Sequence, residues 1–224
     1  MTRPSWLIAG VGLAAAALVG PLPSLAHHSF TAHMAQHLLL VLIAAPLLLA
    51  GAPVTALLQA TRGRPRKGVA RLLRSRAAKF LTHPLMTWGF FAVVMWVTHF
   101  SPLYQAALDN ELVHFVEHGL YISAGLLFWS PVIASDPISR RALAHPARLG
   151  YLVAALPLQS FLGLALYSSA TPLYPAYPDL ADQRAGALVM WLGGDFVFVI
   201  AIALAIGAWM RADRTDAARK ASRA

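Results

Sequence analysis

HHSFTAHMAQHLLLVLIAAPLLLAGAP, residues His27 to Pro53, is the stretch around which this chain is organised. Its first eleven residues hold four histidines and a methionine, and a nearly unbroken apolar run follows. A helix starting near Thr31 stacks His33 and His37 on one face, about 6 Å apart at 1.5 Å rise per residue. Imidazole is the commonest protein ligand for metals. Placing two of them where a helix enters a bilayer is costly and calls for a function.

The 224-residue chain is 58% hydrophobic and 12% charged, with mean hydropathy +0.60. A soluble domain carries about a quarter charged residues. The apolar runs approach the roughly 20 residues that cross a bilayer. The expected fold is therefore all-α, a polytopic membrane bundle of about six spans. There is no cysteine, which excludes disulfides, thiolate metal sites and CxxC redox chemistry. Any metal must be held by His, Met, Asp or Glu. The net charge of +9 is spread over loops and not gathered into a nucleic-acid surface.

Residues 1–26 are read either as a first span or as a signal peptide. Arg3 precedes an apolar segment, and Ser24-Leu25-Ala26 fits a small-x-small cleavage site. Cleavage there would make His27 an N-terminus able to chelate copper through its amine and ring. The second span is expected at about 31–49, kinked at Pro46. Further spans are expected at about 84–100, 113–133, 149–170 and 185–210. Residues 27–210 form one membrane domain and 211–224 a basic tail. Between spans two and three, residues 59–80 carry eight basic residues. They read either as an amphipathic helix on anionic lipid or as a solvated loop. The segment SPLYQAALDNEL, 101–112, reads as a short loop without basic residues.

Basic residues mark the cytoplasmic side. Placing both termini and the loops at 59–80 and 135–148 inside puts 17 of the 18 Lys and Arg there, leaving Arg184 outside. In this orientation seven of the nine histidines reach the outer half: His27, His28, His33, His37, His99, His114 and His118. His83 and His145 fall on the inner side and receive no role. Spans two and four both enter from outside with an i,i+4 histidine pair, so the pairs meet at one level. Met34, Met95, Glu117, Met190 and Asp195 lie within reach of that level. Asp195, roughly 15 Å along its helix, is the one acidic residue expected inside the membrane. Glu117 is expected to orient a histidine more than to bind metal itself.

HMAQHLLLVLIAAPLLLAGAP, THFSPLYQAALDNELVHFVEHGLYISAGLLFWSPVI and DQRAGALVMWLGGDFVF, in that order, resemble the CtaG family of multi-span cytochrome c oxidase assembly factors. The many-pass form associated with caa-type oxidases is meant, not the single-span copper chaperone that shares the name. The resemblance spans residues 27–210. It places the family's motif histidines on His33, His37, His99, His114 and His118, with Met190 and Asp195 in the last block. Family members commonly have seven spans, whereas this chain reads as six.

The resulting expectation is a non-enzymatic assembly factor of a bacterial cytoplasmic membrane. It would hold copper in an outward-facing His/Met site and assist metal delivery to a respiratory oxidase. His33, His37, His114 and His118 are the first candidates, with His99, Met34 and Met190 next. Asp195 and Glu117 would tune charge or proton release. The expected partners are membrane lipid and either an oxidase subunit or a copper donor protein; no nucleic acid is involved. His with Met suits copper, while His with carboxylate also admits zinc or iron. Two alternatives stand beside this: a haem held by one histidine from each of two helices, and a small metal or proton transporter routed through Asp195. Against transport, no paired broken helices or inverted repeat is evident. No nucleophile elbow, phosphate loop or HExxH points to an enzyme.

Overall fold

A computed structural model describes residues 3–133 and 142–222. Arg140, Arg141 and Arg223, counted above on the basic side, lie outside the described residues. All regular structure among the described residues is helical. We number the helices α1 (Arg3–Val19), α2 (Pro21–Ala26), α3 (Phe30–Ala50), α4 (Pro53–Ala60), α5 (Arg64–Arg74) and α6 (Arg76–Leu81). They continue with α7 (Pro84–His99), α8 (Pro102–Asp109), α9 (Glu111–Trp129), α10 (His145–Tyr167) and α11 (Leu180–Ala221). Helices α3, α9, α10 and α11 are long and apolar enough to cross a membrane. The apolar helices α1 and α7 are shorter, at 17 and 16 residues. The protein is thus an all-helical membrane bundle. The segment at 101–112, read as a loop from sequence, instead contains α8, whose Tyr104 is fully buried.

Helix α3 sits at the centre, packed against α1, α2, α9 and α11. Close approach is secured by glycine. A Cβ on Gly125 of α9 would lie 2.9 Å from the Val41 carbonyl oxygen, and one on Gly186 of α11 would lie 2.4 Å from the Phe30 ring. Small residues at such crossings let backbones meet in the absence of water. The start of α3 is capped from two directions. Ser29 Oγ accepts from Ala32 N at 3.3 Å, and Asp182 of α11 accepts from Phe30 N at 2.6 Å and Thr31 N at 3.2 Å. A carboxylate at a helix N-terminus satisfies orphan donors and matches the helix dipole.

The irregularity in α3 falls in the turn before Pro46, around the Leu42 carbonyl that the proline cannot bond. Leu39–Ala44 is π-helical and precedes the proline. A second π-helical segment, Val189–Gly193, interrupts α11. Each also engages a polar side chain of a neighbouring helix. Trp129 Nε1 donates to the Val41 carbonyl at 3.0 Å, and Gln159 Nε2 donates to the Met190 carbonyl at 2.9 Å. Wide turns of this kind recur at functional sites.

Helices α5 and α6 divide the basic stretch at Ser75, whose hydroxyl accepts from Ala78 N. They carry Arg64, Arg66, Lys67, Arg71, Arg74, Arg76 and Lys79, all exposed, beside exposed Leu72, Phe80 and Leu81. They join the chain at the end of α7 opposite His99.

Candidate metal centre

The N-terminal turns of α3 and α9 and the C-terminal turn of α7 meet at one end of the bundle. They bring His33 and His37, His114 and His118, and His99 together. Ring centroids are 4.3 Å apart for His33–His37, 4.2 Å for His114–His118, 5.5 Å for His33–His114, 5.9 Å for His37–His118 and 6.3 Å for His37–His99. His27 is exposed at the mouth, 5.6 Å from His114, and His28 is exposed beside it. Outside this group, His83 caps α7 by accepting from Leu85 N, and His145 stacks on Trp209.

The hydrogen bonds fix the tautomers of two rings. Tyr177 donates its only hydroxyl proton to the Ala26 carbonyl. Its oxygen must therefore accept from His33 Nδ1, 2.9 Å away, which leaves the lone pair of His33 on Nε2. His99 Nδ1 donates to the Met95 carbonyl at 2.6 Å, which leaves its lone pair on Nε2. That Nε2 is buried and has no partner. A second bond to the far ring nitrogen is how metal-binding histidines are oriented.

His33 Nε2 and His37 Nε2 are 2.9 Å apart, a hydrogen-bond distance. Two imidazole nitrogens on one tetrahedral ion, each about 2.0 Å from it, stand roughly 3.3 Å apart. In that bond His37 Nε2 is the donor, so a few tenths of an ångström of ring movement, with the His37 proton shifted to its unpartnered Nδ1, converts the pair into a chelate. One ligand atom each from His33, His37 and Glu117 lies within 4.8 Å of the others, and all three residues are buried. Neither oxygen of Glu117 has a hydrogen-bond partner, so this carboxylate does not orient a histidine as the sequence suggested. His114 Nε2 and His118 Nε2 are also buried without partners. An unpaired ion in a membrane interior costs several kcal/mol. A cluster of orphaned nitrogens around an orphaned carboxylate therefore suits a cation.

Tyrosines form the walls of the site. Tyr104 lies 5.2 Å from His33 and 5.8 Å from His99, and Tyr121 lies 4.1 Å from His37. Tyr121 hydrogen-bonds Thr98 Oγ1 at 2.6 Å, and Tyr174 donates to the His99 carbonyl at 2.8 Å. Burial pushes the phenols of Tyr104, Tyr174 and Tyr177 above their ordinary range, which keeps them protonated. Sequence reasoning passed over all four tyrosines.

Met34, on the turn between the two α3 histidines, points with Met95 and Met190 into a cavity of about 20 Å³ that His37 and His99 also line. Asp195 stands apart. It is half-buried, accepts from Ser160 Oγ of α10 at 2.7 Å, and belongs neither to that cavity nor to the ligand group.

The family model described as cytochrome c oxidase caa3 assembly factor (Caa3_CtaG) matches residues 2–212, nearly the whole chain. The chain belongs to the Caa3_CtaG family. Relatives include uncharacterized proteins of Mycobacterium bovis and Mycobacterium tuberculosis, each 29% identical over 208 residues, and one of Mycobacterium leprae, 28% identical. These alignments cover 85% of this chain and 31% of each relative. This Caa3_CtaG chain thus spans about a third of the length of the curated relatives it matches. No solved structure matches it. The blocks on which the resemblance rested supply α3, the α7–α9 region and the start of α11, whose N-terminal turns bear on the histidine cluster.

Proposed function

We propose that the protein assists maturation of a cytochrome c oxidase by holding copper as cargo between His33, His37 and Glu117. His114, His118 and His99 would complete or relay the site. The observation that carries this reading is the convergence of three buried ligand atoms within 4.8 Å. Histidine and carboxylate donors also accept zinc, and the oxidase family context favours copper. The basic residues orient the cluster toward the non-cytoplasmic face. That is the side from which an oxidase subunit or a copper donor protein would exchange the ion. The role is one of binding and transfer, without catalysis.

The haem alternative needs a slot for a macrocycle beside the rings. The cavity among them measures about 20 Å³, against the roughly 300 Å³ of a small cofactor pocket. The transport alternative needs Asp195 in line with the histidines, and Asp195 instead faces Ser160.

The test is elemental analysis of the purified full chain from copper-replete cells, with oxidase copper content measured in the same cells. Copper is expected in the wild type, and lost with oxidase copper in the His33→Ala/His37→Ala variant. Copper-free wild type together with a fully competent double variant would overturn the reading.

A further inference from the structure

The methionines of this chain are not scattered as packing residues usually are. The chain has six, and three of them, Met34, Met95 and Met190, are buried at 1%, 5% and 6% exposure. Met86 and Met210 are 38% and 52% exposed, and Met1 lies outside the described residues. The three buried ones come from α3, α7 and the π-helical segment of α11, and all three line one small cavity beside His37 and His99. Methionine is the side chain best suited to fill an irregular gap. Here three of them surround a gap of about 20 Å³ that stays open, enough for one small guest.

The chemistry of the lining narrows the guest. Thioethers are soft, uncharged ligands that select Cu(I) over zinc, magnesium or calcium. The two histidines on the rim each carry a buried ring nitrogen without a partner, Nδ1 of His37 and Nε2 of His99. Gln159, also in the lining, has its amide committed to the Met190 carbonyl, which holds the wide turn that carries Met190 in place. The Glu117 carboxylate, nearby in the histidine group, supplies a negative charge for a monovalent cation in a low-dielectric interior.

We propose that this cavity is a second metal position, selective for Cu(I), formed by the sulfurs of Met34, Met95 and Met190. It lies directly below the His33/His37/Glu117 site and shares His37 with it. Copper would pass between a nitrogen- and oxygen-donor position nearer the mouth and a thioether position deeper inside, with His37 touching both. This rests on the proposed copper function and deepens it, dividing the expected His/Met site into two positions of different ligand class.

Copper X-ray absorption on the anaerobic, Cu(I)-loaded full chain in detergent, with chelator-competition titration, tests the division. Wild type is expected to bind two Cu(I) equivalents and to show a sulfur shell. The Met34→Leu/Met95→Leu/Met190→Leu variant keeps the cavity apolar and is expected to lose the sulfur shell and one equivalent, retaining the other. In His33→Ala/His114→Ala the sulfur shell is expected to persist while one equivalent is lost. Wild type without sulfur scattering overturns the proposal, whatever the variants do, and needs no variant to fold. If sulfur is absent while a nitrogen-bound equivalent remains, the histidine site stands and only the thioether position fails. If sulfur scattering is present without a nitrogen-bound equivalent, the histidine site fails and the thioether position stands.

Discussion

Tyr177 accepts a hydrogen bond from His33 Nδ1 at 2.9 Å, and that bond decides which nitrogen of His33 is left to bind. The tyrosine is itself held by its donation to the Ala26 carbonyl, so the loop before α11, the end of α2 and the first turn of α3 act as one unit. Tyr177→Phe keeps the ring packed against Phe30 and removes the hydroxyl, both as acceptor for His33 Nδ1 and as donor to the Ala26 carbonyl. Outer-sphere partners of metal-bound histidines are worth about 10- to 100-fold in affinity. The expected result is a loss of that size in copper affinity with stoichiometry unchanged, read by chelator competition.

Among the described residues Glu117 is the only carboxylate in the histidine group, and no hydrogen-bond donor reaches it. Glu117→Gln preserves shape and removes the charge. A divalent ion loses more from this than a monovalent one, because the Coulomb energy scales with the product of charges. Zn(II) and Cu(II) affinity should therefore fall by a larger factor than Ag(I) affinity, measured on the same preparation. Equal losses would show that the charge of Glu117 does not set the preference between ions.

The histidine pairs were legible in the sequence because i,i+4 spacing fixes a helix face wherever the helix lies. The level at which they meet was legible because basic residues at 59–80 and 211–224 mark the other end. Tyr174 and Tyr177 were not, since a tyrosine in a loop has no periodicity to tie it to a distant wall, and Tyr104 sits on a short helix that read as a loop; Tyr121, three residues after His118 on one face of α9, carried a signal that was passed over. Asp195 showed the limit of depth reasoning. Its distance along α11 says nothing about azimuth, and Ser160 on α10 receives it. The π-helical segments were partly hidden: Pro46 marks an irregular turn around Leu42, but nothing in the sequence says that the turn widens over Leu39–Ala44 or engages Trp129 of another helix.

Burial raises the phenols of Tyr104, Tyr174 and Tyr177, and this fixes the sign of an alkaline effect. A group whose folded pKa lies above its unfolded value of about 10 stabilises fully below that pH, and its contribution is lost as pH rises above it. The melting temperature in detergent should show no tyrosine-linked fall below about pH 9 and should decline beyond about pH 10. Tyr174→Phe should make that decline shallower, because one ionising phenol is gone; an unchanged slope would remove Tyr174 from the account.

The α3–α9 crossing offers the sharpest packing test. A Cβ at Gly125 meets backbone, the Val41 carbonyl at 2.9 Å, together with Ala45 Cβ at 3.0 Å, so neither neighbour can swing away. On the same helix a Cβ at Gly119 meets nothing within 4 Å. Gly125→Ala should cost about 1–3 kcal/mol by overpacking. Gly119→Ala should be neutral or slightly stabilising, since alanine is the better helix former. The crossing also carries the Trp129 bond to Val41 and aligns His114 and His118 with His33 and His37. Gly125→Ala should therefore weaken copper binding along with thermal stability, whereas Gly119→Ala should leave both in place. A Gly125→Ala protein with wild-type melting temperature would mean that the two helices stand further apart than described.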